Sequence, residues 1–277
     1  EFEMEFMEKR RGALGKGAAI LTISKVISLL ITFVSAMLLS RFRTLEEYGI
    51  YSQLLVATTL ATSLFALGLP SSINYFLARA ETAAERRQFL SVYYTMSTVL
   101  SILIGFALIL SIPLIEGYFK NTIIRSFAFF LAVFPWTSII IDSISHVLVV
   151  YEKLRKLVLI KIVHAGVSLL CILFVQWFGW SFREYIVLLL AGQACITLWV
   201  YGIVYQLEEA LVFTPDKNLI GTILKYSIPI GLAAFLGTIS AELGKLIIGR
   251  FFDAEALAVY SNASRELPLT IVATSLT

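Results

Sequence analysis

The feature that most limits what this chain can become is the recurrence of apolar runs about twenty residues long or longer, separated by short charged stretches. A helix rises about 1.5 Å per residue, so about 20 apolar residues cross the roughly 30 Å hydrocarbon core of a bilayer. Eight runs have this character, over residues 17–40, 49–78, 89–115, 125–150, 157–179, 185–207 and 220–249, with the last starting near residue 256. Hydrophobic residues make up 58% of the chain and charged residues 15%, against about 45–50% and about 25% in soluble domains. The runs are continuous and lack the two-residue alternation of barrel strands, which favours helices. The expected fold is therefore all-α and polytopic. Residues 1–210 would form a six-helix lobe, and residues 211–277 would supply the first two helices of a second lobe.

The first run follows Lys9, Arg10, Arg11 and Lys16, but its apolar part is longer than that of a secretory leader and no cleavage pattern follows. It reads as the first span. Met4 and Met7 both offer a start, so the true first residue is left open. Basic connections stay on the cytoplasmic side. Twelve Lys and Arg residues fall on the side of the N-terminus and of the second, fourth and sixth connections, against six on the other side. The N-terminus is thus expected in the cytoplasm, with the protein in the cell membrane.

Residues 41–52, RFRTLEEYGIYS, return with an offset of 209 as residues 250–261, RFFDAEALAVYS, with five of twelve positions identical. Arg41 pairs with Arg250, Glu46 with Glu255 and Tyr51 with Tyr260. Six spans lie between the copies, so both face the same side, as in a parallel repeat of two six-helix halves. Chance likeness between short amphipathic connections is the alternative. A complete repeat needs at least twelve spans, and the eighth stops unfinished at Thr277, so the chain is expected to be an N-terminal fragment.

Polar residues inside the spans carry the functional reading. Thr22, Lys25, Ser28, Thr32 and Ser35 recur at helical steps and share one face of the first span. A lysine on a hydroxyl stripe points to a water-filled or substrate-filled cavity, since a charge facing lipid costs at least about 2.5 kcal/mol. The alternative is a packed interface with Lys25 reaching toward the headgroups. Arg265 lies roughly 14 Å along its helix from Ala256, close to the midplane. It reads either as an anion-binding group or as one half of an interhelical ion pair with Glu242 or Asp142. Glu242 and Lys245, three apart, form either a structural pair or part of a site. Lys161 and His164 share a face continued by Ser168, with Lys161 read as an interfacial anchor. Asp142 is a candidate proton or cation carrier, or an inert hydrogen-bonded acid. Candidate cavity residues are thus Lys25, Ser28, Thr32, Lys245 and Arg265, and candidate ion-coupling residues are Glu242 and Asp142.

Pro70 is expected to bend or break the second run, with Pro229 and Pro268 acting similarly. Two histidines and the cysteines Cys171 and Cys195 lack metal-ligand or disulfide spacing. No phosphate-binding glycine loop, dinucleotide fingerprint or nucleophile elbow is present, so no cofactor, metal or catalytic residue is expected. A net charge of +3, concentrated at the connections, gives no case for nucleic acid.

Three segments carry a family likeness: RTLEEYGIYS, ALGLPSSINYFLARA, and KYSIPIGLAAFLGTISAELGKLIIGRFFDAEALAVYSNASRELP. Together they resemble the polysaccharide-transporter branch of the multidrug/oligosaccharidyl-lipid/polysaccharide exporter superfamily, the O-antigen-type flippases. The resemblance implies two six-helix lobes around a central cavity and alternating access. It also implies an undecaprenyl-pyrophosphate-linked oligosaccharide as cargo, carried to the outer leaflet, with polysaccharide polymerase or ligase machinery as partners. A drug/cation antiporter of the same superfamily would prefer acids in its cavity. The spans here hold Lys25, Lys161, Lys245 and Arg265 against Asp142, Glu242 and Glu266, which leans toward anionic cargo. A multispan glycosyltransferase or polymerase is the remaining alternative, and it would need a sizeable extramembrane loop that these short connections do not supply.

Overall fold

The computed structural model describes residues 22–23, 25–209 and 216–264, all of them helix or short connection. Helix α1 spans Lys25–Phe42, and Thr44 then caps α2, Leu45–Phe65, in a reciprocal box with Glu47. Two short pieces continue α2 at an angle: α3, Leu69–Ser72, and a π-helical turn, Ile73–Leu77. Next come α4, Ala83–Leu110, and α5, Ile112–Phe119, then a 3-10 turn, Thr122–Phe127, leading into α6, Ala128–Val150. Helices α7, Leu154–Trp177, and α8, Phe182–Glu208, follow, with α8 opened by a Ser181–Glu184 capping box. Asp216 caps the long α9, Lys217–Phe251, and Asp253 caps α10, Ala254–Ala263.

Six of these helices are long and apolar enough to cross a membrane, and α2 with α3 and the π turn makes a seventh span bent by 44°. The eighth run corresponds to α10, whose continuation lies outside the described residues, as does Pro268. The bend in the second span is not where the sequence placed it. The backbone kinks at Leu67 and Gly68, both left-handed at φ 52° and 66°, and Pro70 sits in the first turn of α3. There its missing N–H is one that no helical carbonyl would have received. Pro229 does not end its helix either, since α9 runs through it.

The core forms two stacked clusters along the bundle axis. One, around Leu54, Phe119, Phe130 and Tyr185, fills the end bearing the α1–α2 turn. The other, around Leu77, Tyr93, Ile144 and Val200, fills the end where α1 begins. At the α1–α2 end, Arg43 Nη2 donates to the Trp180 carbonyl at 2.9 Å, and Arg250 Nη1 donates to the Gly117 and Tyr118 carbonyls at 2.9 and 3.0 Å. At the opposite end, Arg86 pairs with Glu208 at 2.8 Å, and the Tyr151 hydroxyl donates to the same carboxylate at 2.7 Å. Burial first, and then the Glu208 carboxylate, raise the Tyr151 phenol above its ordinary range. One of the basic residues counted for topology, Arg86, therefore also ties α4 to α8.

The repeated stretch is a helix–turn–helix corner in each copy, α1–α2 and α9–α10, and the two corners meet. Gly49 lies directly under Ala254, so a Cβ at Gly49 would collide with the Ala254 carbonyl. The Tyr48 hydroxyl donates to Asn262 Oδ1 at 2.8 Å, and Ser63 Oγ donates to Thr238 Oγ1 at 2.8 Å. Further along, Gly68 and Gly231 pack backbone against backbone. Small residues let membrane helices approach this closely.

Candidate functional site

Three helices present polar stripes to one another. On α1 the stripe is Lys25, Ser28 and Thr32, with Thr22 just ahead of it; on α6 it is Ser138, Asp142 and Ser145; on α7 it is Lys161, His164 and Ser168. Each follows helical spacing, so each falls on one face. Together they enclose two adjoining compartments of about 450 and 400 Å³, which share Asp142, Ser145 and Lys161 as common wall. The larger is closed by Tyr51, Phe134 and Gln193. The smaller holds Lys25, Asn74 and His146, and Asn74 Nδ2 lies 3.0 Å from His146 Nδ1.

The electrostatics of this cavity are unbalanced. Two lysines and one carboxylate line it, yet among the described residues no ion pair involves Lys25, Lys161 or Asp142. All three are exposed residues rather than buried ones, so their charges are solvated along the cavity wall. Hydrogen-bonding capacity is left over as well. Ser28 Oγ is buried and makes no hydrogen bond among the described residues. Thr32 Oγ1 instead donates to the Ser28 carbonyl at 2.8 Å, within its own helix.

Of the residues singled out from the sequence, Lys25, Ser28, Thr32 and Asp142 meet here. Lys161, read as an interfacial anchor, is a correction: it lines both compartments, because its stripe turns inward toward α1 and α6. Glu242 and Lys245 do not join this cavity. They lie in a separate pocket of about 270 Å³ between α2, α9 and α10, with Ser52, Thr59, Ser261 and Ser264. There Lys245 Nζ is 3.0 Å from Glu242 Oε1 and 2.9 Å from Oε2, so the charges are mutually paired. Leu55 of α2 stands in the wall of both pockets. Arg265 lies outside the described residues. Sequence reasoning missed Asn74, His146, Ser138, Ser145 and Gln193. The α6 stripe was legible by the rule applied to α1, whereas Asn74 and Gln193 are isolated polar residues with no periodic signal.

No group of three or more His, Cys, Asp or Glu side chains among the described residues is placed to hold a metal ion.

Comparison with known proteins fits this architecture. No curated protein sequence matches the chain. The MATE multidrug transporter DinF-BH superimposes with a TM-score of 0.66 at 16% identity, over 94% of this chain and 61% of that one. A MATE protein in complex with MaL6 gives 0.64 at 12% identity, over 94% and 65%. A MOP superfamily transporter from Pyrococcus furiosus, described as having a binding pocket of reverse polarity that suggests a different function, gives 0.62 at 13%, over 94% and 61%. The chain therefore spans less than two thirds of the length of these structures, which share its fold. Residues 14–276 match the family described as polysaccharide biosynthesis protein, and the chain belongs to that family, as a multi-pass membrane protein with the fold of MOP-superfamily transporters.

Proposed function

We propose that this protein moves an undecaprenyl-pyrophosphate-linked oligosaccharide from the cytoplasmic to the outer leaflet of the cell membrane by alternating access, for surface polysaccharide synthesis. It acts as a transporter rather than an enzyme, with the N-terminus in the cytoplasm. Its product would be taken up by polymerase or ligase machinery. Residues 1–210 serve as one lobe, and α9 with α10 opens the second.

The observation that carries this reading is the pair of lysines, Lys25 and Lys161, facing one polar cavity without a carboxylate partner within 4 Å among the described residues. A pyrophosphate supplies the negative charge that such a cavity lacks. Asp142 between them keeps the net charge modest, so the cargo is not held too tightly to leave. A cation or drug antiporter would invert this balance, with acids outnumbering bases in the cavity. Pocket polarity is the distinguishing property described for the Pyrococcus furiosus relative.

In the natural protein, Lys25→Ala or Lys161→Ala should lower surface polysaccharide tenfold or more at normal membrane abundance, with lipid-linked oligosaccharide accumulating on the cytoplasmic leaflet. Undiminished export by both variants, or a loss confined to drug resistance, would contradict the reading.

A further inference from the structure

The end of the second span carries an arginine that the rest of the fold leaves unused. Arg79 closes the helical stretch after the π turn and is exposed. Its guanidinium carbon lies 3.9 Å from the centroid of the Tyr75 ring, one turn back. From α9, the Tyr226 ring stacks on Tyr75 with 4.5 Å between centroids and 27° between planes. One ring face cannot hold both neighbours, so Tyr75 is sandwiched between Arg79 and Tyr226. Phe76 braces the stack edge-on, 5.0 Å from Tyr75 and 5.6 Å from Tyr226. Tyr75 and Phe76 both belong to the π-helical turn Ile73–Leu77, a backbone irregularity that recurs at functional sites.

Most acids at this end of the bundle are engaged elsewhere. Glu208 is held by Arg86 and Tyr151, Asp216 Oδ2 accepts from Gln88 Nε2 at 2.8 Å, and Glu85 Oε2 accepts from the Glu81 N–H at 2.9 Å. Glu81, two residues beyond Arg79, is exposed and makes no ion pair with it. Among the described residues Arg79 has neither an ion pair nor a hydrogen bond, and the Tyr75 and Tyr226 hydroxyls have no hydrogen-bond partner. A guanidinium carries its donors in its own plane, so a ring beneath it fixes its direction and leaves those donors free. Position narrows the ligand further. Helix α9 has 35 residues, about 52 Å by helical rise, which exceeds the roughly 40–45 Å of a bilayer with its headgroups. Tyr226 lies about 13 Å from the start of α9, near the boundary of headgroups and hydrocarbon, where tyrosine is enriched.

We infer that Arg79, with Tyr75 and Tyr226, binds the headgroup phosphate of an anionic phospholipid at the membrane surface where α1 begins. A phosphodiester offers the pair of acceptor oxygens that a guanidinium fork engages, and the two phenols supply further donors. Lys225, next to Tyr226 in sequence, is exposed and without an ion pair among the described residues. Its charge favours a headgroup of net negative charge over one whose ammonium cancels its phosphate. The site lies outside the cavity between α1, α6 and α7, and it rests on the multi-pass fold rather than on the transport reading. Because Tyr75 belongs to the bent second span and Tyr226 to α9, the bound lipid sits across the contact between them.

The test measures lipid binding to the purified natural protein in detergent micelles by native mass spectrometry, with phosphatidylglycerol and phosphatidylcholine of identical acyl chains as probes. The first phosphatidylglycerol should bind about tenfold more tightly than phosphatidylcholine. Arg79→Ala should lower that ratio about fivefold or more. Arg79→Lys, which keeps the charge but loses the fork, and Tyr75→Leu, which keeps the arginine but removes its platform, should each lower it about threefold. Arg87→Ala, exposed on α4 and outside the stack, should leave it within about twofold. Misfolding would depress both lipids together, so the ratio is its own control. Inorganic phosphate at millimolar concentration should leave the bound lipid in place. A wild-type ratio of one, a ratio unchanged in both Arg79→Ala and Tyr75→Leu, or a loss in Arg87→Ala as large as in Arg79→Ala would overturn the site. Displacement of phosphatidylglycerol by inorganic phosphate would overturn the assignment to a lipid headgroup.

Discussion

The cavity between α1, α6 and α7 and the seam between α2, α9 and α10 are built from similar side chains and put them to opposite use. In the seam, Glu242 and Lys245 are paired, Tyr48 is bonded to Asn262, and Gly49 and Gly68 bring backbones into contact. In the cavity, among the described residues, Lys25, Lys161 and Asp142 stand without ion pairs and Ser28 Oγ is buried without a hydrogen bond, and compartments of about 450 and 400 Å³ remain between the helices. Membrane helices gain little from burying apolar surface against one another, because lipid tails are equally apolar; close packing and satisfied polar groups must hold them together. The seam therefore bears on stability, and under the proposed function the cavity is kept open for cargo.

Breaking the seam should have the largest effect on stability. Glu242→Leu leaves the Lys245 ammonium, 27% exposed, without its partner, and removing half of such a pair costs about 3 to 5 kcal/mol when it is buried. The double variant Glu242→Leu/Lys245→Met should recover most of that loss in thermal unfolding. If the single and double variants unfold alike, the pair is not what holds the seam.

A smaller contrast comes from one substitution made twice. Gly49→Ala pushes a methyl into the Ala254 backbone, whereas Gly166→Ala on α7 meets nothing within 4 Å. The first should destabilise by about 1 to 3 kcal/mol through overpacking. The second should stabilise by up to about 1 kcal/mol through helix propensity. Equal shifts of the same sign in the two variants would erase the distinction between the regions.

How much of this was legible beforehand depends on the kind of signal. Helical stripes survive in the sequence because they are local, which is why Lys25, Ser28 and Thr32 were found together and why Ser138, Asp142 and Ser145 were there to be found. Lys161 was misread because its distance from the chain's basic loop suggested anchoring, while the turn of α7 toward α1 is a tertiary fact. Pro70 was recognised as a disruption but the break lies at Leu67 and Gly68, since a left-handed leucine has no composition cue. The repeat was visible as an offset of 209. That its two corners touch through Gly49 and Ala254 was not, because a single glycine in an apolar run does not announce its neighbour.

The central claim is that cargo occupies the cavity and leaves the seam untouched. Single cysteines at Ser145, in the cavity, and at Thr59, in the seam pocket, can be introduced into a version with Cys171 and Cys195 replaced. Their rates of reaction with a small thiol reagent would be measured with and without undecaprenyl-pyrophosphate-linked oligosaccharide. The account predicts that the lipid slows labelling at Ser145→Cys fivefold or more and leaves Thr59→Cys within twofold of its free rate. Protection at Thr59→Cys with none at Ser145→Cys would contradict it.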